Sequence, residues 1–243
     1  MRAQGVDRRL FTKKVESSSM LIQKINVGPL KVCCYIVMGK ISADAMVIDP
    51  GADADAIITF IRDRHLTPKI IVITHGHGDH IGANAKLKEA FPDIQICIHE
   101  EDQDMLPYPA KNLSILAAFY GGVTVRSPSA DRLLKDGDTV TVDKYTFEII
   151  HTPGHTPGGI CLYSKNQENG QPPVLFSGDT LFKEGIGRTD FPGCSQKRLI
   201  RAIKERLFVL DEKTIVYPGH GPSTTIAEEK KNNPFVNEVI IHG

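Results

Sequence analysis

Thr74-His75-Gly76-His77-Gly78-Asp79-His80 is the stretch whose reading decides this chain. Three histidines and one carboxylate fall within six residues. The apolar run Ile70 to Ile73 leads into it, and a helix-like segment, Ile81 to Phe91, leads away. The cluster therefore sits on a turn between a buried strand and a helix. In α/β proteins ligands bind there, beyond the carboxyl end of a strand. Glycines at 76 and 78 let the backbone turn tightly. Imidazole and carboxylate donors together suit zinc, iron or manganese.

Working outward, short runs rich in Ile, Val and Tyr predict strands at 21–27, 31–38, 45–48, 94–98, 140–142, 145–150, 160–163, 174–176 and 214–217. Asp53 to Leu66 has a helical period with Asp53 as its cap, Gln196 to Phe208 places Leu199, Ile203 and Leu207 on one face, and Thr224 to Lys231 reads as a short final helix. Asp136-Gly137-Asp138 reads as a hairpin turn. Glu100 to Gly122, interrupted by Pro107 and Pro109, reads as an irregular wall or lid with at least one helical turn. Runs of strands joined by tight turns, with a few helices, predict an α+β fold. The expected layering is an αββα sandwich, two mixed sheets packed face to face with helices outside.

Composition narrows the function. The chain has 243 residues, is 41% hydrophobic and 24% charged, and carries a formal net charge of zero. That describes a folded globular protein and gives no reason to expect nucleic acid or an anionic membrane as a partner. No apolar run approaches the ~20 residues that span a bilayer. The five cysteines form no C-x-x-C pair and read as free thiols of a reducing, cytoplasmic compartment. Residues 1–19 are basic, lack an apolar signal core and read as a disordered extension, which leaves 20–243 as a single domain.

Three later turns repeat the first arrangement, each following a strand-like run and each offering one ligand-type side chain. They hold His155 in Pro153-Gly154-His155-Thr156-Pro157-Gly158, Asp179 in Ser177-Gly178-Asp179-Thr180, and His220 in Pro218-Gly219-His220-Gly221. Of the other histidines, His65, His99 and His242 are expected to be structural, and His151 either to support the site from behind or to be structural as well. There is no G-x-S-x-G elbow and no convincing Cys/His pair, so a side-chain nucleophile is not indicated.

The series H-x-H-x-D-H, P-G-H-T-P-G, S-G-D-T-L-F and P-G-H-G, in that order, resembles the metallo-β-lactamase superfamily. Within it, the segment Gly185 to Gly193 is similar to that of short hydrolases in the glyoxalase II (hydroxyacylglutathione hydrolase) branch. The resemblance spans about Met20 to Pro234. It implies that His75, His77 and His155 hold one metal ion, that Asp79, His80 and His220 hold a second, and that Asp179 bridges both. It further implies two divalent ions, zinc first with iron and manganese as alternatives. Hydroxide on those ions would attack the acyl carbonyl of a small-molecule thioester, oriented by Asp79. Glyoxalase II proteins continue into a helical domain, whereas only 23 residues follow His220 here. Arg188 stands where that family places a glutathione-contacting lysine and is the expected substrate-binding residue, with an Arg188–Asp190 salt bridge as the competing expectation. A mono-iron persulfide dioxygenase shares several of these segments and is the alternative function. A non-catalytic metal-binding module, a nuclease and a β-lactamase are more distant readings.

Overall fold

β2 (Val32–Met38), in the sequence order that begins with β1 (Leu21–Val27), is buried along all seven residues. A continuous Val-Cys-Cys-Tyr-Ile-Val-Met run needs cover on both faces, and both faces have it. The structure is a computed structural model and describes residues 20–39, 41–119, 122–165 and 170–237. The predicted 1–19 extension and His242 lie outside the described residues.

The first sheet continues with β3 (Asp44–Ile48), β4 (Thr67–Val72), β5 (Gln95–His99) and β6 (Arg132–Leu134), in the order β1-β2-β3-β4-β5-β6. Its first two pairings are antiparallel and the rest parallel. The second sheet comprises β7 (Thr139–Val142), β8 (Tyr145–His151), β9 (Ile160–Ser164), β10 (Val174–Gly178), β13 (Ile215–Pro218) and β14 (Thr224–Thr225), in the order β14-β13-β10-β9-β8-β7. Only its β10–β13 pairing is parallel. A two-stranded ribbon, β11 (Leu181–Phe182) and β12 (Gly185–Ile186), follows β10.

Residue alternation along the strands builds four layers. Cys33, Tyr35, Val37, Met46, Ile48 and Val72 face Tyr145, Phe147, Ile149, Leu162 and Phe176 between the sheets. The opposite face of the first sheet, including Cys34, Ile36, Val47 and Ile71, packs on Ile57 and Ile61 of α1 (Ala54–Asp63) and on Leu87 of α3 (Asn84–Ala90). The outer face of the second sheet, including Cys161, Leu175 and Val216, packs on Leu199 of α5 (Gln196–Ala202) and Ile226 of α6 (Ile226–Asn232). Helix α5 runs on into a wider-wound turn, Ile203–Leu207, that keeps Ile203 and Leu207 on the same buried face. The expected αββα sandwich is the observed fold.

Four local expectations change. The predicted 81–91 helix begins earlier and is broken, as α2 (Gly78–Ile81) and then α3. Asp53 stands at the start of α1 with φ 49° and makes no side-chain cap; its carboxylate accepts the Gly28 N–H at 2.8 Å instead. The Asp136-Gly137-Asp138 turn does not close a hairpin, because β6 and β7 belong to different sheets; it is the crossover between them. The predicted helix at 224 starts two residues later, since Thr224 and Thr225 pair with β13. Glu100 to Gly122 contains a 3-10 turn, Glu100–Met105, and α4 (Ser114–Phe119).

Candidate metal centre

Every ligand-type side chain named from the sequence lies just beyond the carboxyl end of a strand. His75 and His77 occupy the turn after β4, and Asp79 and His80 the short helix α2 that follows. His155 lies in the turn after β8, Asp179 directly after β10 and His220 one residue beyond Gly219, which follows the end of β13. The β10–β13 register slips between Phe176 and Gly178, and Gly178 has φ +48°. This irregularity re-aims the chain so that Asp179 turns toward the histidines. Gly219 N–H donates to Gly178 O at 2.8 Å, and Cys33 N–H to Gly219 O at 2.7 Å, which locks the His220 turn to both sheets.

The ligand atoms of His75, His77 and His155 lie within 4.8 Å of one another, as do those of Asp79, His80 and His220. Asp179 lies between the sets, with Oδ1 3.5 Å from His80 Nε2 and Oδ2 3.6 Å from both His155 Nε2 and His220 Nε2. His75 Nε2 and His155 Nε2 are 3.2 Å apart. Rings converge this way because their far nitrogens are engaged elsewhere. His155 Nδ1 donates to Arg188 O at 2.7 Å, His220 Nδ1 to Leu30 O at 3.1 Å and His80 Nδ1 to Asp49 Oδ2 at 3.0 Å. Thr74 Oγ1 donates to Asp49 Oδ2 at 2.6 Å and so accepts from His75 Nδ1 at 3.2 Å. Each bond selects the tautomer that leaves Nε2 free toward the centre.

Asp49 supports the site from behind and was missed by the sequence reading. Its side chain is buried and accepts from Thr74 N–H at 2.7 Å as well as from the Thr74 hydroxyl and His80. It stands in Asp49-Pro50-Gly51, which by sequence only ends a strand. The available signal was its position at the tip of β3, beside β4.

Burial, then neighbouring His155, lowers His77 to about 3. Burial, then His80 and His155, holds His75 well below the usual imidazole range. Both are therefore neutral donors at physiological pH. In the metal-free centre burial also opposes a charge on His80, but Asp179, Asp79 and Asp49 together outweigh it and push His80 up to about 10, so a metal ion taken up at Nε2 would displace that proton. Burial opposes ionisation of Asp79, yet His80 and His220 hold its carboxyl well below the usual carboxylate range. The whole set fits divalent cations on a structural criterion. His80 Nε2 and Asp179 Oδ1 are buried without a hydrogen-bond partner, an expensive arrangement unless a cation takes both lone pairs.

A further group, His99, Glu101 and His151, brings its ligand atoms equally close. Its imidazoles stack nearly parallel, 4.0 Å between centroids and 16° between planes, so one ion cannot lie in both ring planes. His151 instead donates Nε2–H to Pro157 O at 2.8 Å and braces the His155 turn from behind, as expected.

A cleft of about 370 Å³ opens on the His77 and His155 side, walled by Met105, Leu113, Phe191 and Cys194 among others. The 100–122 segment thus supplies part of the wall. All five cysteines are free, and only Cys194 is not fully buried. Arg188 stacks its guanidinium 4.7 Å from the Phe191 ring and forms a two-pronged pair with Asp190, at 3.0 and 2.7 Å. Phe191 in turn meets His77 edge-on at 6.1 Å. Among the described residues no helix is long and apolar enough to cross a membrane.

Comparison with known proteins gives a consistent picture. A family model described as the metallo-beta-lactamase superfamily matches residues 27–220. Hydroxyacylglutathione hydrolase GloC of Haemophilus influenzae is 37% identical over 227 residues, covering 90% of this chain and 99% of that one. The crystal structure of BLEG-1 B3 metallo-beta-lactamase superposes with a TM-score of 0.81 at 37% identity, covering 89% of this chain and 100% of that one. TTHA1623, solved in a di-iron-bound form, superposes with a TM-score of 0.76 at 34% identity, covering 88% and 99%.

Proposed function

Starting from a chain that belongs to the metallo-beta-lactamase superfamily, we propose a dinuclear-metal hydrolase of small thioesters, of the hydroxyacylglutathione hydrolase kind. The observation that carries this reading is the convergence of seven donors from four strand ends, with His80 Nε2 and Asp179 Oδ1 buried and unpartnered. His75, His77 and His155 would hold one ion, Asp79, His80 and His220 the other, and Asp179 both. Zinc is the expected metal, with iron, as in the TTHA1623 structure, and manganese as alternatives. When bound, such a pair polarises a carbonyl and brings the pKa of water to ~7.

The chain's own residues do the rest. Asp79, held ionised by His80 and His220, orients the attacking water. The cleft beside His77 receives the thioester, and Met105, Leu113 and Phe191 keep bulk water from it. Arg188, stacked on Phe191 of the cleft wall, binds a carboxylate of the thiol carrier, for which it exchanges its bond to Asp190. The GloC similarity supports glutathione as that carrier. The partner is accordingly a small molecule in the cytoplasm, and the zero net charge supports neither nucleic acid nor membrane.

Elemental analysis of freshly purified protein, with a panel of S-lactoylglutathione, a β-lactam and a glutathione persulfide, tests the reading. The expected result is close to two equivalents of metal, cleavage of the thioester and no oxygen uptake. One equivalent of iron with oxygen consumption on the persulfide would replace hydrolysis by the dioxygenase reading. In the same assays Arg188→Ala raises KM for S-lactoylglutathione and leaves kcat nearly unchanged, since the contact is remote from the carbonyl. A change in melting temperature with KM unmoved would restrict Arg188 to shaping its loop.

A further inference from the structure

One fully buried carboxylate has no part in the roles above. Asp102 lies in the 3-10 turn Glu100–Met105 after β5. Its Oδ2 accepts the Gly76 N–H at 3.0 Å and the Thr156 hydroxyl at 2.7 Å, and its Oδ1 accepts the Gly158 N–H at 2.7 Å. Among the described residues these three hydrogen-bond partners are all neutral. A buried carboxylate without a cationic partner is costly to keep, so its position calls for a reason.

The three donors supply one. Gly76 lies between His75 and His77, and Thr156 directly follows His155. A single carboxylate thus joins the two turns that carry the three-histidine set, one from each sheet. The approach depends on two glycines. A Cβ at 158 would sit 2.6 Å from Asp102 N and 2.8 Å from its carboxyl carbon, and a Cβ at 76 would collide with Met105 at the end of the same 3-10 turn. Glycine there does more than permit a bend: it lets two backbone N–H groups reach one side chain.

The geometry points to Asp102 as a positioning residue that fixes His75 and His77 against His155, so that the three-histidine set retains its divalent ion only while this clamp is closed. The inference rests on the reading of those histidines as metal ligands. It differs from a general packing role in acting on one ion of the two.

Asp102→Asn tests it at nearly constant volume. Whichever way the amide is turned, its NH2 faces the Gly158 N–H or the Gly76 N–H and Thr156 pair, and one side of the clamp opens. Thr156→Val removes one hydrogen bond and no charge. Metal equivalents, competition with a chelator, and melting of the metal-stripped protein are measured for both. Wild type should hold two equivalents; if it holds none, the metal reading itself fails and the clamp is not the cause. Asp102→Asn should fall to about one equivalent, with retention of the lost ion weakened ~10- to 100-fold, and Thr156→Val should weaken it less. In a His220→Ala background, where only the three-histidine set remains complete, adding Asp102→Asn should remove the last ion. Two equivalents with unchanged chelator competition in both variants overturns the inference. So does loss of both ions together in Asp102→Asn while Thr156→Val behaves as wild type. Should Asp102→Asn fail to fold, unchanged competition in Thr156→Val alone is sufficient to overturn it.

Discussion

Asp49→Asn should strip the second ion while leaving the sandwich standing. The carboxylate accepts three hydrogen bonds, from Thr74 N–H, the Thr74 hydroxyl and His80 Nδ1–H. An asparagine in the same place can keep its oxygen on Thr74 N–H. Its NH2 then faces the Thr74 hydroxyl, which can reorient, and His80 Nδ1–H, which cannot. The relief available to His80 is to change tautomer, and that moves the proton to Nε2, the atom aimed at the centre. A hydrogen bond to a charged group contributes ~1.5–3 kcal/mol, so forcing the unfavoured tautomer weakens the His80 ligand by about 10- to 150-fold in affinity. Elemental analysis combined with a chelator titration reads this directly. Two retained equivalents and an unshifted chelator midpoint would refute the tautomer argument, whatever the activity did.

Metal-stripped protein should show a stability that declines on both sides of pH 6.5. His77 is lowered to about 3 in the fold, so its contribution is present above 6.5 and lost as pH falls toward 3. His80 is raised to about 10, so its contribution is present below 6.5 and lost as pH rises through 10. Melting temperatures from pH 4 to 10 check this, and a flat profile would contradict it. Gly219→Ala should lose metal with the fold retained, because a Cβ there runs into the Asp179 carboxylate and the His80 ring; unchanged metal content would count against the proposed second site. Phe176→Ala should cost ~3–5 kcal/mol in urea unfolding, since this buried ring packs between the sheets against Tyr35 at 5.1 Å, Tyr217 at 5.3 Å and Phe147 at 6.0 Å. A cost under about 1 kcal/mol would mean that the intersheet layer repacks.

The parts legible in the sequence are those whose signal is local. A buried strand shows itself by its own apolar run, as β2 and β4 do, and a ligand turn by polar residues with Gly or Pro directly after such a run. Seven side chains brought together here were found that way. What escaped depends on partners far along the chain. Asp49 and Asp102 are single acids in a strand end and an irregular segment, and their roles exist only once Thr74, His80, Gly76 and Gly158 arrive beside them. β6 has three residues with only Leu134 buried, too short for a period to register. The turn at 136–138 reads the same from within whether its strands share a sheet or part company. Asp53 was misjudged because a left-handed backbone at 53 points its carboxylate at Gly28, and no local pattern reveals that φ.

The division of the proposed ligands between the sheets has a consequence for how the centre would come into being during synthesis. His75, His77, Asp79 and His80 come from the first sheet, and His155, Asp179 and His220 from the second. Neither half of the chain can assemble either set by itself. A nascent chain released up to β9 would carry five of the seven donors and still lack a complete second set. On the proposed ligand assignment, capture of the second ion would therefore be a late event, a seal placed across the seam once β13 has emerged and docked. An ion bound at this seam would stabilise by mass action only the docked arrangement.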